Sequence, residues 1–133
     1  MTSSTVRIIT DSSCDLPDSV VRDLGIEIVP LFIRFGDDEL VDREQLSTAE
    51  FWKRCSIVEE LPSTAAPSPG RFEQAISKVV GEGATGVLVI NLSGALSGTL
   101  QSAEVAVESM KAKVDVRVVD SRTVSMGLGA IVV

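Results

Sequence analysis

The stretch Gly86-Val87-Leu88-Val89-Ile90-Asn91-Leu92-Ser93-Gly94-Ala95-Leu96-Ser97-Gly98-Thr99, with Leu100 to Lys113 and then Val114 to Val119 behind it, decides the fold. Gly86 to Ile90 is apolar throughout, the pattern of a strand buried on both faces rather than on one. A polar, glycine-bearing turn follows, then a helix-length segment to about Lys113, then a second apolar strand at Val114 to Val119 that meets Asp120-Ser121. Strand, helix, strand at this spacing predicts parallel pairing with a right-handed crossover.

Toward the N-terminus the same unit recurs. Val6 to Thr10 is short, apolar and β-branched, and runs into the turn formers Asp11-Ser12-Ser13-Cys14-Asp15. Leu16-Pro17 opens a helix whose apolar stripe is Val20, Val21 and Leu24, and Gly25 stops it where a left-handed cap costs little. Ile26 to Phe35 reads as a strand with a defect, because Pro30 removes one ladder hydrogen bond. Gly36-Asp37-Asp38 is a turn, with Glu39 to Val41 a short hairpin partner. Ser47-Thr48-Ala49-Glu50 fits a capping box for a helix from about Thr48 to Ser56. Leu61 to Pro69 carries three prolines and reads as a stiff, irregular loop. Pro69 then starts a helix with Ser68 as its cap, Phe72, Ala75, Ile76 and Val79 as its apolar face, and its end near Gly81. The expected fold is therefore α/β, a mostly parallel sheet with helices on both faces, spanning residues 1–133 as one domain.

Thr123 to Val133 is nearly all apolar and carries no cap or polar exit. The favoured expectation is one domain of a two-domain protein, the second domain being absent from this chain and covering this surface. A C-terminal helix docked on the sheet, or self-association through the same stretch, are the competing readings.

Composition narrows the function. With 12 Lys and Arg against 19 Asp and Glu, the formal net charge of -7 repels a phosphate backbone, so nucleic acid is excluded as a partner. The same charge opposes adsorption to an anionic bilayer, and no apolar run is long enough for membrane insertion. Cys14 and Cys55 form no redox or zinc pair, and the chain has no His. Met1 to Thr5 shows no signal-peptide pattern, which makes the cytoplasm the default address.

In an open parallel sheet, ligands bind beyond the carboxyl ends of the strands. The loops there are Asp11 to Asp15, Asn91 to Thr99 and Asp120 to Ser125, with the Pro-rich Ser63 to Ser68 beside them. They are rich in hydroxyls, among them Ser12, Ser13, Thr64, Ser93, Ser97 and Thr99, and glycines such as Gly94 let backbone N–H groups approach an anion. Neutral donors and helix dipoles can hold a carboxylate or phosphate without Lys or Arg. Taken singly, Ser and Thr at such places are ordinary caps, and Ser47 and Ser68 read as nothing more. Lacking His, these residues cannot assemble a Ser-His-Asp hydrolase, and neither nucleotide-binding glycine fingerprint is present. Asp11 and Asp15 as a magnesium pocket is a minority reading, outweighed by their use as caps and braces. No metal and no cofactor is expected.

Four segments, in order, resemble the DegV family: Thr10-Asp11-Ser12-Ser13-Cys14-Asp15-Leu16-Pro17; Pro67-Ser68-Pro69-Gly70-Arg71-Phe72 with Thr64 ahead; Leu96-Ser97-Gly98-Thr99-Leu100-Gln101-Ser102-Ala103; and Val119-Asp120-Ser121 through Ser125-Met126-Gly127-Leu128-Gly129. The resemblance implies the N-terminal domain of a two-domain protein holding a fatty acid between its domains, some members serving as the acyl-carrying subunit of a bacterial fatty acid kinase. It places Thr64 and Ser93 at the hydroxyl contacts to the carboxylate, gives Gly94 an N–H nearby, and sets Asp11, Ser12 and Ser13 at the same end. The chain departs from the family at Thr64-Ala65-Ala66, where Thr-Ser-Gln is common, and at Ser93-Gly94, where Ser-Ser is common. The implied function is binding a long-chain fatty acid and presenting it to a kinase catalytic protein, without catalysis by this chain. The alternative is an acyl- or phosphoryl-transfer enzyme using Asp11 or a loop Ser with residues of a missing domain.

Overall fold

The computed structural model describes residues 5–133; of the segment searched for a targeting signal, Met1 to Ser4 lie outside it. Four parallel strands form the main sheet: β1 (Val6–Asp11), β2 (Glu27–Val29), β6 (Gly86–Asn91) and β7 (Asp115–Asp120), in the order β2-β1-β6-β7. The intervening β3 (Phe32–Phe35), β4 (Asp38–Val41) and β5 (Ser63–Ala65) make a separate antiparallel sheet in the order β4-β3-β5. The helices are α1 (Asp18–Asp23), α2 (Thr48–Cys55), α3 (Pro69–Gly81), α4 (Thr99–Met110) and α5 (Met126–Val132), with a short 3-10 turn at Ser12–Cys14.

Side-chain alternation along the parallel strands divides the core in two. Ile9, Val87, Val89 and Val116 point to one face and pack with Phe72, Ile76 and Val79 of α3 and Ala103 and Ala106 of α4. Ile8, Ile28, Leu88 and Ile90 point to the other, against Val20 and Val21 of α1 and Leu128 and Val132 of α5. Helices therefore cover both faces, as the doubly apolar strands require. Neither cluster takes a residue from 30–68, although Leu31, Ile33, Val41 and Leu46 of that excursion are buried.

Two sequence expectations are corrected here. Ile26 to Phe35 is not one strand: the chain leaves the parallel sheet at Pro30, and Phe32–Phe35 belongs to the antiparallel sheet. Proline cannot donate to the ladder, so the break falls where the pairing partner must change. The Pro-rich segment is not wholly irregular, because Ser63–Ala65 pairs with β3 in the register Ile33↔Thr64. It is an edge strand with prolines outside its paired residues, the position proline rules permit. Elsewhere Gly25 has φ +62 after α1, and Ser47 accepts from the Glu50 N–H at the start of α2. Ser68 stands before α3 in extended geometry but makes no side-chain cap bond.

Candidate functional site

β1 pairs with β2 on one side and with β6 on the other, so the chain connections diverge between β1 and β6. In open parallel sheets this point of divergence, at the carboxyl ends of the two strands, is the usual place for a ligand.

Asp11 ends β1 and is fully buried there. Its Oδ1 accepts from the Ser13 N–H (3.0 Å) and the Ser13 hydroxyl, and its Oδ2 accepts from Asn91 Nδ2 (3.0 Å) and the Leu92 N–H (2.9 Å). One carboxylate thus folds its own loop and bolts it to the end of β6. With four donors on it, Asp11 is a brace; neither oxygen is left for nucleophilic attack or for a magnesium ion. Among the described residues no group of three or more His, Cys, Asp or Glu is placed to hold a metal.

Ser12 lies beside it, buried, and its Oγ accepts from the Leu31 N–H at 3.0 Å. The hydroxyl proton of Ser12 remains available to donate. Leu31 directly precedes Phe32, which pairs with Ala65, so this bond ties the strand-end loop to the strand that carries Thr64. On the other arm Ser93 follows Leu92; it is buried, gives its N–H to the Thr123 carbonyl (2.8 Å) and accepts from the Ala95 N–H (3.2 Å). Ser93 thus follows a residue bonded directly to Asp11, while Thr64 connects to Ser12 only along the backbone, through Leu31 and the β3–β5 pairing. Thr64 is exposed on β5.

Gly94 departs from its expected part. Its N–H is donated to Asp120 Oδ1 at 3.3 Å, a carboxylate that also takes the Arg122 N–H at 2.8 Å, so the donor assigned to a ligand is engaged within the chain. A Cβ at Gly94 would lie 2.8 Å from Leu100 Cδ2, so a larger residue there needs the end of the Leu100 side chain to shift. Ser97 and Thr99 face each other, their hydroxyl oxygens 2.9 Å apart, with the Thr99 N–H donated to Ser97 Oγ; they form the start of α4.

Asn91 is the residue the sequence reading passed over. It is fully buried, bonds Asp11 through Nδ2, and among the described residues has no partner for Oδ1; Thr10 Oγ1, on the neighbouring β1, is likewise buried and without a partner among them. Its signal in sequence is an amide closing an otherwise apolar strand. Backbone strain also gathers at these loops: Asp15, Arg122 and Ser125 have φ of 53, 56 and 57, and the Ser125 hydroxyl donates to Asp15 Oδ2 at 2.6 Å.

Cys14, in the 3-10 turn, is buried, and burial pushes its thiol above the ordinary value despite the Leu16 N–H and the Arg43 guanidinium, which act the other way. A disulfide reagent at pH 8 is expected to titrate Cys55 in the native protein and to reach Cys14 only in urea. Two fast thiols without denaturant would contradict the burial.

A parallel sheet covered by helices on both faces, its strand order reversing at a hydrogen-bonded hub, defines a doubly wound α/β protein. The family model described as "Uncharacterised protein, DegV family" matches residues 5–133, and the chain belongs to the DegV family. A DegV domain-containing protein of Clostridium perfringens is 35% identical over 127 residues, which are 96% of this chain and 45% of that protein. Among solved structures, a DegV family protein from Thermus thermophilus described for fatty acid binding superposes with TM-score 0.81 at 34% identity, over 96% of this chain and 44% of that one. DegV from Bacillus subtilis, described as a fatty acid binding protein, gives TM-score 0.86 at 28% identity, over 98% and 45%. The chain spans less than half the length of these relatives. No helix among the described residues is long and apolar enough to cross a membrane.

Proposed function

We propose that this chain binds the carboxylate of a long-chain fatty acid at the Asp11-Ser12 hub, with Thr64 and Ser93 as the hydroxyl donors. Ser12 adds a buried O–H, and Ser13, Ser97 and Thr99 shape the rim. Residues 1–133 act as the first α/β domain of a two-domain protein, the second closing over the acyl tail. The role is that of a carrier: the acid is held, presented to a kinase that phosphorylates it in the cytoplasm, and not transformed by this chain.

The observation that carries this reading is the state of Asp11. A carboxylate in a binding crevice would repel another carboxylate, but this one is saturated by four donors, and what it leaves uncommitted around it are hydroxyl protons. Relatives from Thermus thermophilus and Bacillus subtilis described as fatty acid binding supply the ligand class. Burying an alkyl tail contributes about 0.8 kcal/mol per CH₂, so the tail supplies affinity while the hydroxyls orient the head. A carboxylate left without donors in that setting would be costly.

Thr64→Val and Ser93→Ala, each removing one hydroxyl donor to a charged acceptor, are expected to weaken palmitate binding about tenfold, Thr64→Val with little change in stability and Ser93→Ala with a loss of about 1 kcal/mol because its Oγ also accepts from the Ala95 N–H. Calorimetric titration checks this, and unaltered affinity in both variants would dismiss the assignment. The exposed Val119, Val124, Met126, Ile131 and Val133 mark the surface that a second domain would cover. In this chain by itself the same surface is expected to self-associate, seen as concentration-dependent elution on a sizing column.

A further inference from the structure

Two of the loops around the hub are joined by a bond that the carboxylate reading does not use. Ser125, between β7 and α5, donates its hydroxyl to Asp15 Oδ2 at 2.6 Å. Among the described residues this is the one hydrogen bond between residues 11–15 and residues 120–125. Ser125 takes φ 57 and ψ −139, a conformation that suits glycine and strains a side chain. A serine ahead of a helix ordinarily caps it, but this hydroxyl makes no bond to α5 and turns to Asp15, itself at φ 53. Both residues are exposed, so water competes for the bond and a strained backbone opposes it. Little net stability is left for the pair to supply; what it fixes is position.

The segment it fixes grips the other arm of the hub. The Thr123 carbonyl, two residues before Ser125, accepts the Ser93 N–H at 2.8 Å, and Ser121 donates its N–H to the Asn91 carbonyl at 3.1 Å. Asp120 Oδ1 takes the Gly94 N–H at 3.3 Å. Between Thr123 and Ser125 there is little slack. The Gly127 N–H is donated to the Val124 carbonyl at 3.2 Å, and a Cβ at Gly127 would stand 2.3 Å from Thr123 Oγ1. A shift at Ser125 is therefore carried to Thr123, and from its carbonyl to the backbone of Ser93.

We propose that Ser125 is a positioning residue for the carboxylate site: clasped to Asp15, it sets where Ser93 stands relative to the loop of Asp11 and Ser12. The inference rests on the reading of Ser93 as a hydroxyl donor to the fatty acid. It adds that the alignment of this donor depends on an exposed bond outside the hub.

Ser125→Gly removes the hydroxyl and relieves the strain together, so its melting temperature should stay close to that of the unsubstituted protein. Palmitate affinity should nevertheless fall about threefold, because a hydrogen bond weakens steeply away from its best geometry. Asp15→Ala should bind more weakly than Asp15→Asn, whose amide oxygen still accepts from Ser125; both are neutral, so the comparison separates the bond from the charge. In a Ser93→Ala background, Ser125→Gly should cause no further loss, since its effect runs through the Ser93 hydroxyl. Calorimetric titration with palmitate and thermal unfolding of each variant provide these readouts. Unchanged affinity in Ser125→Gly, equal affinities for the two Asp15 variants, or losses that simply add in the double variant would overturn the inference while Ser93→Ala still weakens binding. If Ser93→Ala binds palmitate as well as the unsubstituted protein does, the carboxylate assignment fails and the clasp's role fails with it.

Discussion

Replacing Asp11 with alanine is expected to lower the unfolding free energy by about 4 kcal/mol, because three buried or partly buried N–H donors lose their acceptor at once and each costs roughly 1–3 kcal/mol when unmet. The donors are Ser13 N, Asn91 Nδ2 and Leu92 N. Relief of a buried carboxylate offsets part of this, since an ionised group at 0% exposure carries its own desolvation cost. Asp11→Asn should cost less, since one oxygen remains, but its NH₂ must then face either the Ser13 pair or the Asn91-Leu92 pair. Urea unfolding with unchanged slope is the measurement. A loss below about 1 kcal/mol for the alanine variant would show that the hub does not hold the strand ends together. Fatty acid binding is expected to fall with it, because Ser12 and Ser93 are positioned through the same carboxylate.

Gly129→Ala carries the second largest effect. A Cβ there would stand 2.6 Å from the Cys14 carbonyl oxygen and 3.1 Å from Leu16 Cδ2, so α5 must move off the 3-10 turn. Overpacking of this kind costs about 3 kcal/mol, against roughly 1 kcal/mol gained from alanine's helix propensity, for a net loss of about 2 kcal/mol. Gly98→Ala is the matched control: nothing lies within 4 Å of its Cβ position, and it should be close to neutral. Equal melting temperatures for the two variants would mean that α5 is not seated on the turn.

Much of this architecture is legible in the sequence, and the reason is local. Gly86–Ile90 and Val6–Thr10 are apolar without alternation, and only a sheet covered on both faces buries such strands; Gly25 and Ser47 mark helix boundaries by conformations and bonds that few residues supply. The antiparallel excursion is less legible because its determinants are distant. Pro30 signals a fault, but whether the chain then continues in the same sheet or joins another depends on β5, whose pairing with β3 spans some thirty residues of sequence. The site follows the same division. Its polar residues are evident, but which donors are spent inside the chain is settled by acceptors such as Asp120 for Gly94 and Asp11 for Asn91, which no spacing rule couples.

The excursion from Pro30 to Ser68 contributes no residue to either main hydrophobic cluster, and its strands pair only with one another. Insertions or deletions within it would leave the parallel register intact, since the cost of closing a longer loop rises only slowly with length. The arm that carries Thr64 is thus a replaceable cassette: evolution, or a chimera between relatives, can vary it while the scaffold beneath keeps its shape.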